Sequence, residues 1–215
     1  MLESFEKIPV KIYKNPTEGS NAVAAQIANL IREKQAQNLP CVLGMATGTT
    51  PILLYKELVR MHKEEGLSFK NVVTINLDEY YPIPRNSYQS YWSFMHRHLF
   101  DHIDIDPKNI HLPNSEWTKE ELKEKCVAYE QTIEKLGGID LQILGIGGNG
   151  HIGFNESGSL QNSKTRLVAL DHITRVAASS DFSGLSNTPR TAITLGVKKI
   201  KIGRASCRER VSSPV

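Results

Sequence analysis

Apolar positions along the chain fall into two alternating patterns. Short runs rich in Val and Ile stand at "VKIY" (Val10–Tyr13), "CVLGM" (Cys41–Met45), the start of "VVTINLDEYY" (Val72–Tyr81), "LQIL" (Leu141–Leu144), "TRLVAL" (Thr165–Leu170) and "TAITLGV" (Thr191–Val197), and each reads as a strand. Between them lie longer segments with helical spacing. In "SNAVAAQIANLIREKQAQN" Val23, Ile27, Leu30 and Ile31 share a face behind Ser20, which the pattern places as the N-cap. "PILLYKELVRMHKEEG" has Pro51 in its first turn and Gly66 at its stop, and a further helix is predicted from about Ser87 through "YQSYWSFMHRHLFDHI". Thr118 and Glu121 stand in capping-box register, which predicts a helix over Glu120–Leu136 that ends at Gly137 and Gly138. Strands alternating with helices predict an α/β fold: a mostly parallel, doubly wound, Rossmann-like sheet with helices on both faces, in a single domain.

The pattern stops after about Ile202. "GRASCRERVSSPV" has no apolar periodicity where another helix and strand are due, so residues 203–215 read as a non-native, adapter-like tail and residues 1–202 as one α/β domain, incomplete at its C-terminus. The length of 215 residues suits one core. A formal charge of +3, from 26 basic and 23 acidic side chains without blocks of like sign, argues against a nucleic-acid arm or polybasic membrane patch and for a small-molecule partner. The charged N-terminal stretch lacks the apolar core of a signal peptide, and no run is long enough to span a membrane, so the expected setting is cytoplasmic. Cys41, Cys126 and Cys207 are far apart, without metal-ligand spacing, and read as incidental thiols.

Three loops carry candidate chemistry. "GIGGNGHIGFNE" (Gly145–Glu156) follows a strand and has the G-x-G-x-x-G spacing of a dinucleotide loop, with Asp171 downstream in the place of a ribose-binding acid. That fingerprint needs a helix at the third glycine, and "HIGFNESGSLQNSKT" has no helical face, so the dinucleotide reading is weak. The same loop concentrates Asn149, His151, Asn155 and Glu156, and a His with a nearby carboxylate is suited to shuttle protons. Asp78 and Glu79 stand at the carboxyl end of an apolar strand, where open α/β sheets bind ligands; a helix cap or turn acid is the competing explanation. In "MATGTTP" (Met45–Pro51), Thr47, Gly48, Thr49 and Thr50 lead from a strand into a helix start, a turn suited to a phosphate. It lacks the Lys of a nucleotide P-loop.

"GMATGTTP", "NLDEYY" with "SYWSFMHRHLFDHIDI", and "LGIGGNGHIGFNE" together resemble the glucosamine-6-phosphate deaminases, over about residues 8–200, with a softer likeness to versions that form part of large two-part bacterial proteins. The resemblance implies isomerisation and deamination of glucosamine 6-phosphate to fructose 6-phosphate and ammonia, without metal or organic cofactor. It implies that Asp78 is the base that moves a proton between C2 and C1, that His151 opens the sugar ring, that Glu156 is its carboxylate partner with Asn149 as third member, and that Thr47, Gly48, Thr49 and Thr50 bind the phosphate. A homo-oligomer and a downstream second domain in the full-length protein are further expectations of the same kind.

The chain departs from the family pattern in places. Asn149 stands where members often have Asp, and "NESGS" replaces the usual Asn-Glu-Pro turn. After Thr174 and Arg175, a phosphate-gripping Arg is expected where this sequence has Ser180 and then Asp181, and the family's phosphate-binding Lys is expected beyond the point where the tail begins. Galactosamine-6-phosphate deamination or isomerisation, a 6-phosphogluconolactonase-like hydrolase and a non-catalytic sugar-phosphate sensor stay open as alternatives. The glutamate of "GHIGFNE" disfavours the lactonase, and the retained Asp78, His151 and Glu156 disfavour the sensor.

Overall fold

The computed structural model describes residues 10–202 and 206–209. Strands β1 (Cys41–Met45), β2 (Val72–Asn76), β4 (Ile110–His111), β5 (Leu141–Gly145) and β8 (Ser206–Glu209) form a sheet in the order β4-β2-β1-β5-β8, and every neighbouring pair is parallel. β1 and β2 are buried along their whole length, as continuous apolar runs require. Helix α1 (Pro16–Ala36) packs along α2 (Ile52–Glu65), and their apolar faces, including Ile27, Ile31, Tyr55 and Leu58, enter the core built on β1 and β2. α2 stops at Gly66, whose φ of 68° lies in the left-handed region that glycine enters without strain. The predicted capping box is formed: the Thr118 amide donates to Glu121 Oε2 (3.0 Å) and the Glu121 amide to Thr118 Oγ1 (3.3 Å), ahead of α4 (Leu122–Lys135).

Several expectations need correction. Val10–Tyr13 forms no strand, and its two aliphatic side chains are exposed, Ile12 to 93%. Helix α1 begins four residues before the predicted segment, because Asn15 accepts the Glu18 amide and Pro16 pre-sets the first turn; Ser20 is buried inside the helix and is not its cap. α3 (Tyr91–His98) starts later than Ser87, at Ser90, whose hydroxyl accepts the Ser93 amide. A seven-residue helix, α5 (His172–Ala178), was not foreseen; Asp171 is its N-cap rather than a ribose ligand. Ser206–Glu209, inside the expected tail, pairs with β5 as an edge strand. Backbone pairing at an open edge needs no particular side chains. The rest of that expected tail, residues 203–205 and 210–215, lies outside the described residues.

The sheet is not one layer of strands. At Leu77 the chain leaves the parallel sheet and turns into β3 (Asp78–Tyr81), which pairs antiparallel with β7 (Thr191–Thr194), itself antiparallel to β6 (Arg166–Ala169). Leu77 joins the two sheets: its amide donates to Met45 O (3.1 Å) and its carbonyl accepts from the Leu195 amide (2.7 Å). Tyr80, Phe154, Leu170 and Ala192 form a second apolar cluster on this sheet.

Candidate active site

β2, β1 and β5 are adjacent and parallel, so their carboxyl ends open on one edge of the sheet. The strand order reverses between β1 and β5, and a ligand crevice forms at such a point because the connections on either side diverge. A cavity of about 660 Å³ lies there, lined by Thr47–Thr50 from the end of β1, Asp78 from beyond β2, and Asn149 and His151 from beyond β5. The three loops singled out from the sequence are thus brought to one cavity. Glu156 is the exception, standing behind His151 rather than on the wall.

Neighbouring carboxyls at the start of β3 have different tasks, because side chains alternate along a strand. Asp78 faces the cavity and is buried, and its carboxyl is pushed up to about 8, first by burial and then by the charge of Glu79. Glu79 points the other way and caps α3, its Oε1 accepting from the Tyr80 and Tyr91 amides (both 2.9 Å) and its Oε2 from the Trp92 amide (3.0 Å). Burial raises Glu79 to about 7 against the lowering effect of those bonds. Of the two explanations weighed for this acidic pair, the helix cap describes Glu79, while Asp78 faces the cavity.

The glycine-rich loop is explained by His151. A side chain at Gly147 would place its Cβ 2.3 Å from the His151 ring, and a side chain at Gly153 would stand 3.2 Å from Asp78 Oδ2, with φ of +58°. These glycines make room for an imidazole and a carboxylate, and no helix follows Gly150. His151 Nδ1 lies 3.4 Å from Glu156 Oε2 and 3.2 Å from Thr174 Oγ1, which leaves Nε2 for a ligand. Asn149 ties the group together: Nδ2 donates to Glu156 Oε2 (2.7 Å) and Oδ1 accepts the His151 amide (3.3 Å). Burial pushes the Glu156 carboxyl up, but the hydrogen bonds from Asn149, Thr174 and the Asp171 amide, with the nearby imidazole, hold it below its ordinary value. Asn155 is structural: Nδ2 donates to Leu195 O (2.8 Å) and Ile152 O (3.0 Å), fixing the loop to the end of β7.

Thr47–Thr50 turn from β1 into α2, with Gly48 at φ 111°, and the amino end of α2 opens on the cavity. Dipole and hydroxyls there favour an anion. Ser180 does not line the cavity, whereas Asp181 does, and Arg175 faces elsewhere, donating to the carbonyls of Leu185, Thr188 and Pro189. Sequence reasoning missed Tyr91, Thr174 and Arg97, all cavity-lining. Tyr91 and Arg97 were legible as a helix face of α3 only once its start was known; Thr174 sits on the unforeseen α5.

Fold and site define an α/β protein with a polar-lined cavity at the carboxyl edge of its parallel sheet. Comparison with known proteins narrows it. The family described as glucosamine-6-phosphate isomerases/6-phosphogluconolactonase matches residues 14–203, and the chain belongs to that family. It is 48% identical over 200 residues to a glucosamine-6-phosphate deaminase-like protein of Bacteroides thetaiotaomicron, covering 93% of this chain but 30% of that relative. It is also 48% identical over 177 residues to a glucosamine-6-phosphate deaminase of Lysinibacillus sphaericus, covering 82% of this chain and 74% of the relative. Its fold superposes on a monomeric glucosamine-6-phosphate deaminase with a TM-score of 0.89 at 38% identity, over 94% of this chain and 81% of that one. A 6-phosphogluconolactonase from Trypanosoma brucei, 18% identical with a TM-score of 0.73 over 96% of this chain and 82% of that one, shares the fold. Among the described residues no helix is long and apolar enough to cross a membrane.

Proposed function

We propose that this chain converts glucosamine 6-phosphate to fructose 6-phosphate and ammonia. The observation that carries the proposal is the placement of Asp78 and the Glu156-backed His151 on opposite loops of one cavity that also contains the Thr47–Thr50 turn. In this reading the substrate's phosphate sits at Thr47, Gly48, Thr49 and Thr50. His151, oriented by Glu156 and Asn149, carries the proton from the C1 hydroxyl to the ring oxygen and opens the pyranose. Asp78 then takes the C2 proton and returns it to C1, while the aldehyde oxygen takes up a proton that the substrate's ammonium gives up; this leaves a protonated imine at C2, which water converts to the ketone with release of ammonia. A carboxyl raised to about 8 suits this task, because a base that weakly prefers its proton can both remove and return one near neutral pH.

The relatives named as deaminases support this substrate, and the lactonases share only the fold. A cytoplasmic setting and self-association belong to the same proposal. The test is ammonia release from glucosamine 6-phosphate, run beside galactosamine 6-phosphate and 6-phosphogluconolactone, with Asp78→Asn as control. Ammonia from the glucosamine ester that disappears in Asp78→Asn is the expected result. Turnover unchanged by that substitution would remove Asp78 from its role.

A further inference from the structure

The cavity wall contains two carboxylates, Asp78 and Asp181, and, among the described residues, one side chain with a permanent positive charge, Arg97. Arg97 belongs to α3, where Tyr91, Phe94, Arg97 and His98 recur at the spacing of one helix face and all reach the cavity. The start of that face shares the cavity with the proposed phosphate turn, since Tyr91 and Thr47 both line it. α3 also packs against α2, whose amino end forms the other side of that turn.

What distinguishes Arg97 is what it does not bind. Arg60 is engaged by Glu57, Glu64 and Glu65, and Arg175 by three carbonyls. Arg97 has no carboxylate within ion-pair distance among the described residues. Its Nη1 donates to the Tyr88 carbonyl (3.1 Å) and its guanidinium lies 3.8 Å from the centre of the Tyr88 ring. The fork is thereby held in place with most of its five donors unspent. A phosphate dianion brought into a cavity with two carboxylates needs a cation to offset its lost hydration, and Ser180, outside the wall, supplies none.

We propose that Arg97 is the cation that grips the substrate's phosphate monoester, reaching it from α3 opposite the Thr47–Thr50 turn. This rests on the sugar-phosphate reading above, and deepens it by naming a specificity-determining residue. Arg97 is half-exposed and outside the core, so its replacement leaves the packing intact.

The test compares wild type, Arg97→Met and Arg97→Lys in two assays. In steady-state deamination, Arg97→Met raises KM for glucosamine 6-phosphate by about 10- to 100-fold, the range for losing charge-assisted hydrogen bonds to one ion, with kcat falling far less. Arg97→Lys lies between, because an ammonium keeps the charge but loses the fork. In calorimetric titration with inorganic phosphate, the wild type binds and Arg97→Met loses most of that affinity. Equal phosphate affinity and equal KM in wild type and Arg97→Met overturn the assignment, as does a wild type that binds no phosphate. A wild type that binds phosphate through Arg97 yet releases no ammonia overturns the deaminase reading alone. If Arg97→Met does not fold, the titration of Arg97→Lys decides, an unchanged affinity counting against the proposal.

Discussion

The imidazole of His151 occupies the space that a side chain at Gly147 would need, with a Cβ there only 2.3 Å from Cε1 and Nε2. Gly147→Ala therefore forces the ring to rotate away from Glu156 and Thr174. The rest of the loop is anchored independently through Asn155, so the protein should still fold with a melting temperature near that of wild type. A positioned acid–base group contributes typically about 10²- to 10⁴-fold, and kcat should fall by about that much. Retained turnover with an intact melt would show that the ring is not held against Gly147 during the reaction.

Asp78→Asn separates catalysis from stability. Asp78 is raised from 3.8 to about 8 in the folded chain, so the folded state keeps its proton while the unfolded state loses it. The stability this gives is complete below about pH 4, declines as pH rises, and is gone above about pH 8. Asn has no proton to lose. The variant should match wild type in thermal melts at pH 4 and exceed it at pH 8, while showing no ammonia release. Equal melting temperatures across that range would mean that Asp78 is not buried in the form described.

How much of this was legible in the sequence depends on what each residue's task requires. Strands β1, β2 and β5 were legible because a parallel sheet buries both faces and leaves continuous apolar runs. The loops that follow them were legible because glycine, hydroxyl and acid residues break those runs abruptly. The division into two sheets was not, since "VVTINLDEYY" has no turn residue at Leu77 and the switch is made by tertiary hydrogen bonds to Met45 and Leu195. Asp78 and Glu79 were equivalent in sequence; only the direction of the strand assigns one to the cavity and the other to the start of α3. The α1 cap was misplaced because Ser20 is a good cap by type, and Asn15 followed by Pro16 is better by position. Arg97 was hidden by the charge of its neighbours in "MHRHLFDH", where the face it occupies depends on where α3 starts.

Asn149→Asp places a second carboxylate against Glu156 Oε2, where Asn149 Nδ2 now donates at 2.7 Å. Two ionised carboxyls at that separation repel, so one of them is raised in pKa and takes up a proton near neutrality. Glu156, now held below its ordinary value, contributes stability that is present above the unfolded pKa and lost as pH falls through the folded one. The substitution reverses that trend: the variant should melt below wild type at pH 8 and converge with it near pH 4. A melting temperature at pH 8 equal to that of wild type would show that the two groups do not meet.

Glu79→Gln tests how the cap of α3 reaches the chemistry. Glu79 accepts on both carboxyl oxygens, and in Gln one of them becomes an NH₂ that meets a backbone N–H of Tyr80, Tyr91 or Trp92 as donor against donor. An unsatisfied buried donor costs about 1–3 kcal/mol, and thermal melts should show a loss of that size. The effect on the site has a separate signature. Asp78 is raised first by burial and then by the charge of Glu79, so neutralising Glu79 lowers the Asp78 pKa. Because the proposed mechanism needs Asp78 ionised, kcat/KM in wild type should rise with pH through the region of 7 to 8, where Glu79 and Asp78 titrate as a coupled pair. In Glu79→Gln this acid limb should move to lower pH and follow a single ionisation. A limb that stays in place while the melting temperature falls would mean that Glu79 serves the helix alone and that the two carboxyls, adjacent in sequence, do not share a titration.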